Sequence, residues 1–159
     1  MSRFRFIQTE DNAELAKVIR AVLTEVGANK EGFAFADPYL DNLYQYYDNQ
    51  KGWYKVVLND KGRIVGGAGM GELTGEKEVL ELQKMYFLPE ARGKGLAATL
   101  LQDLLNEARS KGYKGCYIET VTHLKHAIKL YKQHGFVVIA NPMGNTGHFG
   151  CNVFLYKTL

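Results

Sequence analysis

A short glycine-containing stretch, Arg92-Gly93-Lys94-Gly95-Leu96-Ala97-Ala98, joins a predicted apolar strand to a predicted amphipathic helix. Glycine is unfavourable inside strands and helices, so two glycines here indicate a tight turn, a close approach of another group to the backbone, or both. Amides of a first helical turn lack intrahelical partners and attract anions. The junction therefore predicts a strand–turn–helix unit of an α/β fold, with either a plain structural turn or an anion site at its centre.

Two nucleotide-binding patterns can be compared with this junction. A P-loop would need glycine at position 88 and serine or threonine at position 95, where the chain has Leu88 and Gly95, so that class is excluded. The dinucleotide pattern G-x-G-x-x-[GA] does fit Gly93–Ala98, with Glu119 as the later acidic residue. Against it, the residues 88–92 separate the strand from the first glycine, and the strands before it form an antiparallel meander. A nucleotide-dependent oxidoreductase stays open as an alternative.

Apolar periodicity and turn residues predict the remaining elements. Strands are predicted at residues 4–8, 53–59, 63–73, 78–87, 115–120, 136–140 and 151–159. Helices are predicted from an Asp11/Glu14 capping box to Gly27, from Asp37-Pro38 to Tyr47, from Leu96 to Ala108, and from Leu124 to His134. This order predicts a single domain over residues 1–159, with a mixed α/β fold and a central sheet of about six to seven strands flanked by helices on both faces.

Composition excludes several classes of protein. Hydrophobic residues make up 46% of the 159 residues and charged residues 23%, which is typical of a globular chain with a core. The net charge of +3 comes from scattered basic residues and does not favour nucleic acid. No apolar run reaches the roughly 20 residues of a membrane span, and the N-terminus lacks the apolar core of a signal peptide. Since Cys116 and Cys151 have no metal-type spacing, we expect a reduced, cytoplasmic protein.

Two separated motifs resemble the GNAT family of N-acetyltransferases. The family pattern [QR]-x-x-G-x-[GA] stands here as Arg92–Ala97, after the turn Phe87-Leu88-Pro89-Glu90-Ala91. The later pattern A-[IV]-x-L-Y-x-x-x-G-F stands as Ala127–Phe136. The resemblance covers nearly the whole chain and implies acetyl-CoA as cosubstrate. One position departs from many relatives, since Leu124 replaces an asparagine whose cofactor contact is therefore not carried over.

The resemblance also implies where acetyl-CoA binds. The main chain of the strand ending Met85-Tyr86-Phe87 is expected to pair with the pantetheine arm and to supply a backbone N–H for the oxyanion. The pyrophosphate is expected to lie against the amides of Gly93, Lys94, Gly95, Leu96, Ala97 and Ala98. Arg92 and Lys94 would add positive charge at the edge of that site.

Two side chains are the candidate catalytic residues. Tyr131 matches the family's thiolate-protonating tyrosine, although it also falls on the apolar stripe of its helix, where packing is the alternative role. Glu81 is the first candidate for the general base, and a structural strand carboxylate is the alternative. Glu72 and Glu119 are held in reserve as candidate bases.

Strand alternation predicts which side chains lie on the same side of the strand as Glu81, but it does not predict what packs against that side. It groups Glu81 with Val79, Gln83, Met85 and Phe87 on one side of the strand. That side is predicted to be either the cofactor cleft or a helix-covered core.

The four histidines, at positions 123, 126, 134 and 148, have no ligand spacing, so no metal site is predicted. His148 is a candidate for lining the acceptor pocket, with an exposed loop position as the alternative. The lysines of residues 123–134 form a basic face that is either simply solvated or attracts phosphate.

The sequence thus predicts an enzyme that moves an acetyl group from acetyl-CoA to a primary amine of a small molecule or peptide. A non-catalytic acyl-CoA-binding regulatory module is the alternative. No nucleic-acid or membrane partner is expected, and a homodimer is left open. The aromatic and acidic residues 33–47 favour either a cationic or aromatic acceptor or simple helix packing.

Overall fold

The computed structural model describes residues 3–159, which form a seven-stranded sheet in the order β1-β2-β3-β4-β5-β7-β6. The strands are β1 Phe4–Phe6, β2 Trp53–Leu58, β3 Ile64–Leu73, β4 Glu76–Phe87, β5 Gly115–Thr120, β6 Val137–Ile139 and β7 Val153–Thr158. The α-helices are α1 Asn12–Glu25, α2 Leu43–Asp48, α3 Leu96–Ser110 and α4 Lys125–Gln133. The predicted mixed α/β architecture is confirmed, with the short strands β1 and β6 ending earlier than predicted.

Strand pairing divides the sheet into two parts. Strands β1 to β4 form an antiparallel meander, and β5, β7 and β6 pair antiparallel with one another. A parallel pairing of β4 with β5 joins the two parts. Although β7 follows β6 in the chain, it lies between β5 and β6.

Apolar cores fill both faces of the sheet. Helices α1 and α2 bury Leu15, Ile19 and Leu43 on one face. Helix α3 buries Leu100 and Leu104 on the other face, where α4 also packs. Within residues 3–159, no helix has the length and apolar character needed to cross a bilayer.

The glycine-rich strand β3 is crowded on both faces. A side chain at Gly67 or Gly69 would overlap the ring of Tyr54, and one at Gly66 would overlap the ring of Phe87. Glycine at these positions allows large side chains of β2 and β4 to cross over this strand.

The start of α1 differs from the prediction. The Asp11 carboxylate accepts a hydrogen bond from the Gln8 N–H at 2.7 Å and pairs with Arg5, while Glu14 accepts one from the Ile64 N–H at 3.2 Å. Neither side chain caps the helix, so the predicted Asp11/Glu14 capping box is wrong. The predicted end is confirmed, since Gly27 follows the helix with a φ of 73°.

The predicted helix from Asp37-Pro38 is also wrong in its start. Residues 34–36 and 40–42 form short 3₁₀ turns, and α2 begins only at Leu43. Asp37 has an extended backbone, as the residue before a proline prefers. Its carboxylate binds groups from two distant parts of the chain, which places it in the site described below.

Candidate active site

Strands β4 and β5 separate partway along their length. Their parallel pairing joins Val79–Glu81 to Gly115–Tyr117 and then stops. Beyond it β4 pairs with β3 alone, and β5 pairs with β7 alone. Among residues 3–159, the edge of β4 from Leu82 to Phe87 has no strand partner on the β5 side. Such an edge can take up an extended ligand arm by β-addition.

A bulge re-aims the side chains of β4 where the strands separate. Lys84 has a φ of 50°, and the register against β3 shifts at this point. Gln83 and Lys84 both contact the α1–α2 side, whereas Met85 and Phe87 pack into the core under α3. The predicted grouping of Glu81 with Met85 and Phe87 is therefore wrong, because the bulge adds a residue and reverses the alternation.

The first turn of α3 leaves backbone N–H groups free. Gly93 and Gly95 have φ values of 71° and 74°, in the left-handed region that favours glycine. Among residues 3–159, and apart from the adjoining residues, no atom lies within 4 Å of where a side-chain carbon would stand on Gly93 or Gly95. Among residues 3–159, the N–H groups from Gly93 to Ala98 have no backbone acceptor, and the first bond is the 3.0 Å one from the Thr99 N–H to the Gly95 C=O. This exposed turn fits a pyrophosphate.

The two basic residues of the turn have different surroundings. The Arg92 guanidinium makes two 2.8 Å bonds to the Glu25 carboxylate of α1, and its Nε donates to the Phe87 C=O at 2.9 Å. Lys94 is exposed to solvent. Arg92 thus links the turn to α1 and β4. Because Glu25 balances its charge, its attraction for a bound phosphate is weaker than that of an unpaired arginine.

Tyr131 lies in α4, facing the core under α3. It is only 6% exposed, and its ring centroid is 6.0 Å from that of Phe136. Its hydroxyl has no hydrogen-bond partner among residues 3–159. Burial raises the pKa of Tyr131 far above its ordinary value, so the phenol keeps its proton at every working pH. Met85, on the free edge of β4, packs against the same apolar cluster as Tyr131.

Glu81 lies on the opposite face of the sheet and is 6% exposed. Gln83 Nε2 donates to Glu81 Oε1 at 2.7 Å, and the Tyr47 hydroxyl donates to Gln83 Oε1 at 2.8 Å. Burial raises the pKa of Glu81 to about 7, and the nearby Glu119 adds to the rise. A carboxylate with this pKa can accept and release a proton near neutral pH.

Glu119 and His148 join Glu81 in one cluster. A carboxylate oxygen of each glutamate and a ring nitrogen of the histidine all lie within 4.8 Å of one another. The Tyr117 and Thr146 hydroxyls donate to Glu119. The predicted reserve base Glu119 and the predicted pocket residue His148 are thus brought together with Glu81. The spacing of these three residues in the sequence did not indicate a metal site. In the fold, however, their side chains form a group of ligand atoms that also suits a divalent cation.

Glu72, the other reserve base, lies elsewhere. It is exposed near the far end of β3 and accepts a hydrogen bond from the Lys51 N–H at 2.9 Å. Among residues 3–159 it forms no hydrogen bond or ion pair with Glu81, Glu119 or His148, which makes it a suitable position for control substitutions.

Asp37 is a residue that the sequence analysis missed as part of the site. Its carboxylate lies 2.7 Å from Lys84 Nζ and 2.9 Å from His148 Nε2. Burial alone would raise the pKa of Asp37, but the bond to His148 and the charge of Lys84 hold it below its usual range. Burial alone would lower the pKa of His148, but Asp37 raises it. The sequence did contain one indication of this role of Asp37. Lys84 lies within a predicted buried strand, and a buried lysine needs an acidic partner.

The sequence has clear relatives. Residues 20–136 match the sequence profile described as the Acetyltransferase (GNAT) family. An uncharacterised N-acetyltransferase of Escherichia coli K12, YjgM, is 46% identical over 98% of this chain and 93% of its own length. The acetyltransferase Atu2258 of Agrobacterium fabrum is 31% identical over 76% of this chain and 85% of its own length.

Solved structures share the fold. An acetyltransferase of the GNAT family from Staphylococcus aureus Mu50 matches with a TM-score of 0.86 and 22% identity, covering 98% of this chain and 97% of that one. YncA of Salmonella typhimurium, solved with acetyl-CoA, matches with a TM-score of 0.74 and 22% identity, covering 98% and 92%. These likenesses extend over almost the full length of both chains.

Proposed function

Because this chain belongs to the GNAT family and is an acetyl-CoA-dependent N-acetyltransferase, we propose that acetyl-CoA binds from the α3 side of the sheet and the acceptor amine from the α1–α2 side. The observation that carries this proposal is the gap between β4 and β5. Tyr131 lies on one face of the sheet at this gap and Glu81 on the other. Two reactants can therefore meet through the sheet, each with a proton-transferring group on its own side.

The cofactor contacts follow from the exposed backbone. The free edge of β4 at Met85, Tyr86 and Phe87 suits the amide-bearing pantetheine arm. The free N–H groups from Gly93 to Ala98 suit the pyrophosphate, and Lys94 adds positive charge from solvent. Acetyl-CoA supplies the acetyl group as a thioester, which an amine attacks with loss of the thiol.

Glu81 prepares the amine. An ammonium with a reference pKa of roughly 10.4 must lose a proton before its nitrogen can attack. Glu81 takes this proton, because its raised pKa of about 7 makes it a far stronger base than an exposed glutamate. The Gln83–Tyr47 chain fixes the orientation of the carboxylate.

Tyr131 protonates the leaving thiolate. The Tyr131 residue is only 6% exposed and its hydroxyl has no hydrogen-bond partner among residues 3–159, so its hydrogen-bonding capacity is available to a group in the gap. Because burial holds the pKa of Tyr131 high, the phenol is present as the proton donor throughout the working range.

The proposed activity is tested by thiol release. We expect the purified protein to release free CoA thiol from acetyl-CoA only when an amine is present, with equal amounts of acetylated amine by mass spectrometry. Parallel assays with EDTA test the prediction that no metal is needed. Tight acetyl-CoA binding with no acetyl transfer to any amine or peptide would instead identify a regulatory acyl-CoA-binding module. The antiparallel β3–β4 pair before the glycine turn does not favour the oxidoreductase alternative.

Glu81→Gln separates the catalytic from the structural role of this residue. We expect kcat/KM to fall at least about tenfold at pH 7 and to recover partly as pH rises, because bulk water then supplies neutral amine. Wild-type activity should rise through a pH of about 7 as Glu81 loses its proton. The measurement is the pH–rate profile of both proteins.

The melting temperature supplies the control for Glu81→Gln. The folded-state pKa is raised, so ionisation of Glu81 destabilises the fold as pH rises from its unfolded value through about 7. Glutamine removes this charge and can still accept the hydrogen bond from Gln83. The melting temperature at pH 8 should therefore stay equal or rise, whereas a lower value with an unchanged pH profile would assign Glu81 a structural role only.

A further inference from the structure

The acceptor side of the gap carries more negative than positive charge. Three carboxylates meet there, from Asp37, Glu81 and Glu119. Two cations, Lys84 and His148, lie near these carboxylates. The way these two are paired decides what kind of acceptor the site can hold.

Both cations are already paired with the carboxylate of Asp37. Lys84 lies 2.7 Å from one carboxylate oxygen, and its side chain is 2% exposed. It also lies 4.7 Å from the ring centroid of Tyr39. His148 lies 2.9 Å from the other oxygen of Asp37. Drawing either cation towards a ligand would leave a buried carboxylate without its partner, which is strongly unfavourable.

The hydrogen-bond donors to Glu119 and Glu81 are neutral groups, and His148, whose ring lies within 4.8 Å of both carboxylates, is itself bonded to Asp37. The donors to Glu119 are the hydroxyls of Tyr117 and Thr146, and the donor to Glu81 is the Gln83 amide. Hydrogen bonds from neutral groups stabilise a carboxylate without cancelling its charge. Glu119 is also partly exposed, so an incoming cation can reach it.

We propose that the acceptor is a primary amine with no carboxylate on the carbon beside its nitrogen, and that Glu119 is the residue that selects it. This rests on the proposed N-acetyltransferase activity. The ammonium binds Glu119 and lies next to Glu81. A free amino acid would bring its own carboxylate against two glutamates, while the two nearby cations, Lys84 and His148, are already paired with Asp37. Simple amines, amino acid amides and peptide N-termini share the required chemistry.

The proton and bond changes balance in this arrangement. The ammonium held by Glu119 gives one proton to Glu81, and the neutral nitrogen forms a bond to the acetyl carbon. The carbon–sulfur bond breaks, and the sulfur takes a proton from Tyr131. As the amide forms, the nitrogen loses its second proton to solvent, Glu81 returns its proton to solvent, and Tyr131 regains one proton from solvent. The turnover therefore yields amide and thiol with net release of one proton.

The test uses acceptors that differ only in the carboxylate. Phenylalanine, phenylalaninamide and phenethylamine are compared, with leucine, leucinamide and isopentylamine as a second set. We measure kcat/KM for thiol release at saturating acetyl-CoA. The amide and the amine should exceed the amino acid by about a hundredfold, since unmatched like charges at a binding site are strongly disfavoured.

Glu119→Gln tests the assigned residue, with Glu72→Gln as the matched control. The first variant should reduce the amine-to-amino-acid ratio about tenfold by lowering kcat/KM for amines and raising it for amino acids. The control should keep the wild-type ratio, because Glu72 is exposed and apart from the cluster. A purely structural Glu119 would lower both rates and leave the ratio unchanged, and that result would overturn its assignment.

The wild-type comparison decides the acceptor class even if Glu119→Gln does not fold. Amino acids acetylated as well as their amides would overturn the inference while leaving the N-acetyltransferase activity intact. No acetyl transfer to either class would remove the proposed activity itself.

Discussion

Gly95→Val is expected to weaken acetyl-CoA binding about a hundredfold, since two lost hydrogen bonds to a charged group at about 1.5 kcal/mol each give this change. The added side chain would stand where nothing within 4 Å now lies, in the space above the free N–H groups of the turn. A pyrophosphate could then no longer approach those amides. Isothermal titration calorimetry with acetyl-CoA measures the effect.

Two variants separate this effect from others. Gly62→Val places the same side chain on another open glycine with a φ of 75°, so it carries the same backbone strain away from the site. Its acetyl-CoA affinity should match the wild type. Lys94→Ala should weaken binding by only about fivefold, as expected for an exposed charge. Unchanged affinity in Gly95→Val would remove the proposed cofactor site.

Tyr131→Phe is expected to lower kcat about a hundredfold, which is the lower end of what general acid catalysis contributes. The fold and the acetyl-CoA affinity should both be retained, because the ring still packs against Phe136 and the hydroxyl has no partner to lose among residues 3–159. Steady-state kinetics with a saturating amine measures kcat, and calorimetry measures the affinity.

Tyr113→Phe is the matched control for this experiment. Tyr113 packs against the same core but precedes β5, at the opposite end of that strand from the gap. Loss of its hydroxyl should leave kcat unchanged. Wild-type turnover in Tyr131→Phe would identify Tyr131 as a packing residue, and equal losses in both variants would point to a general effect on the core.

Much of the fold could be predicted because its signals are local. Apolar periodicity places α3 and the strands on either side of it, and the glycine turn lies where the motif predicts it. Tyr131 was predicted from the second motif and Glu81 from the strand before the glycine turn, and the two residues lie on opposite faces of the sheet. Short motifs fix such positions because a strand, a turn and a helix must follow one another at fixed spacing.

The bulge at Lys84 could not be predicted, because a left-handed backbone at a lysine has no local sequence signal. It is held by contacts from afar, including the 2.8 Å bond from the Tyr54 hydroxyl to the Lys84 C=O. Asp37 and His148 likewise meet across 111 positions of chain. Only the assembled sheet brings such groups together, so strand alternation alone gave the wrong neighbours for Glu81.

The placement of β7 between β5 and β6 has a consequence for biosynthesis. As the chain leaves the ribosome, β6 emerges before the strand that is its pairing partner, and β5 has an unpaired edge until Val153–Thr158 appear. The segment carrying Thr146 and His148, which is bonded to Thr74 and Gly32 through its backbone, leaves the ribosome directly before β7 and so also takes its place late. A nascent chain halted before β7 would therefore present bare strand edges to chaperones and to other chains, and it would acquire its acceptor site and its protection from aggregation in the same late step.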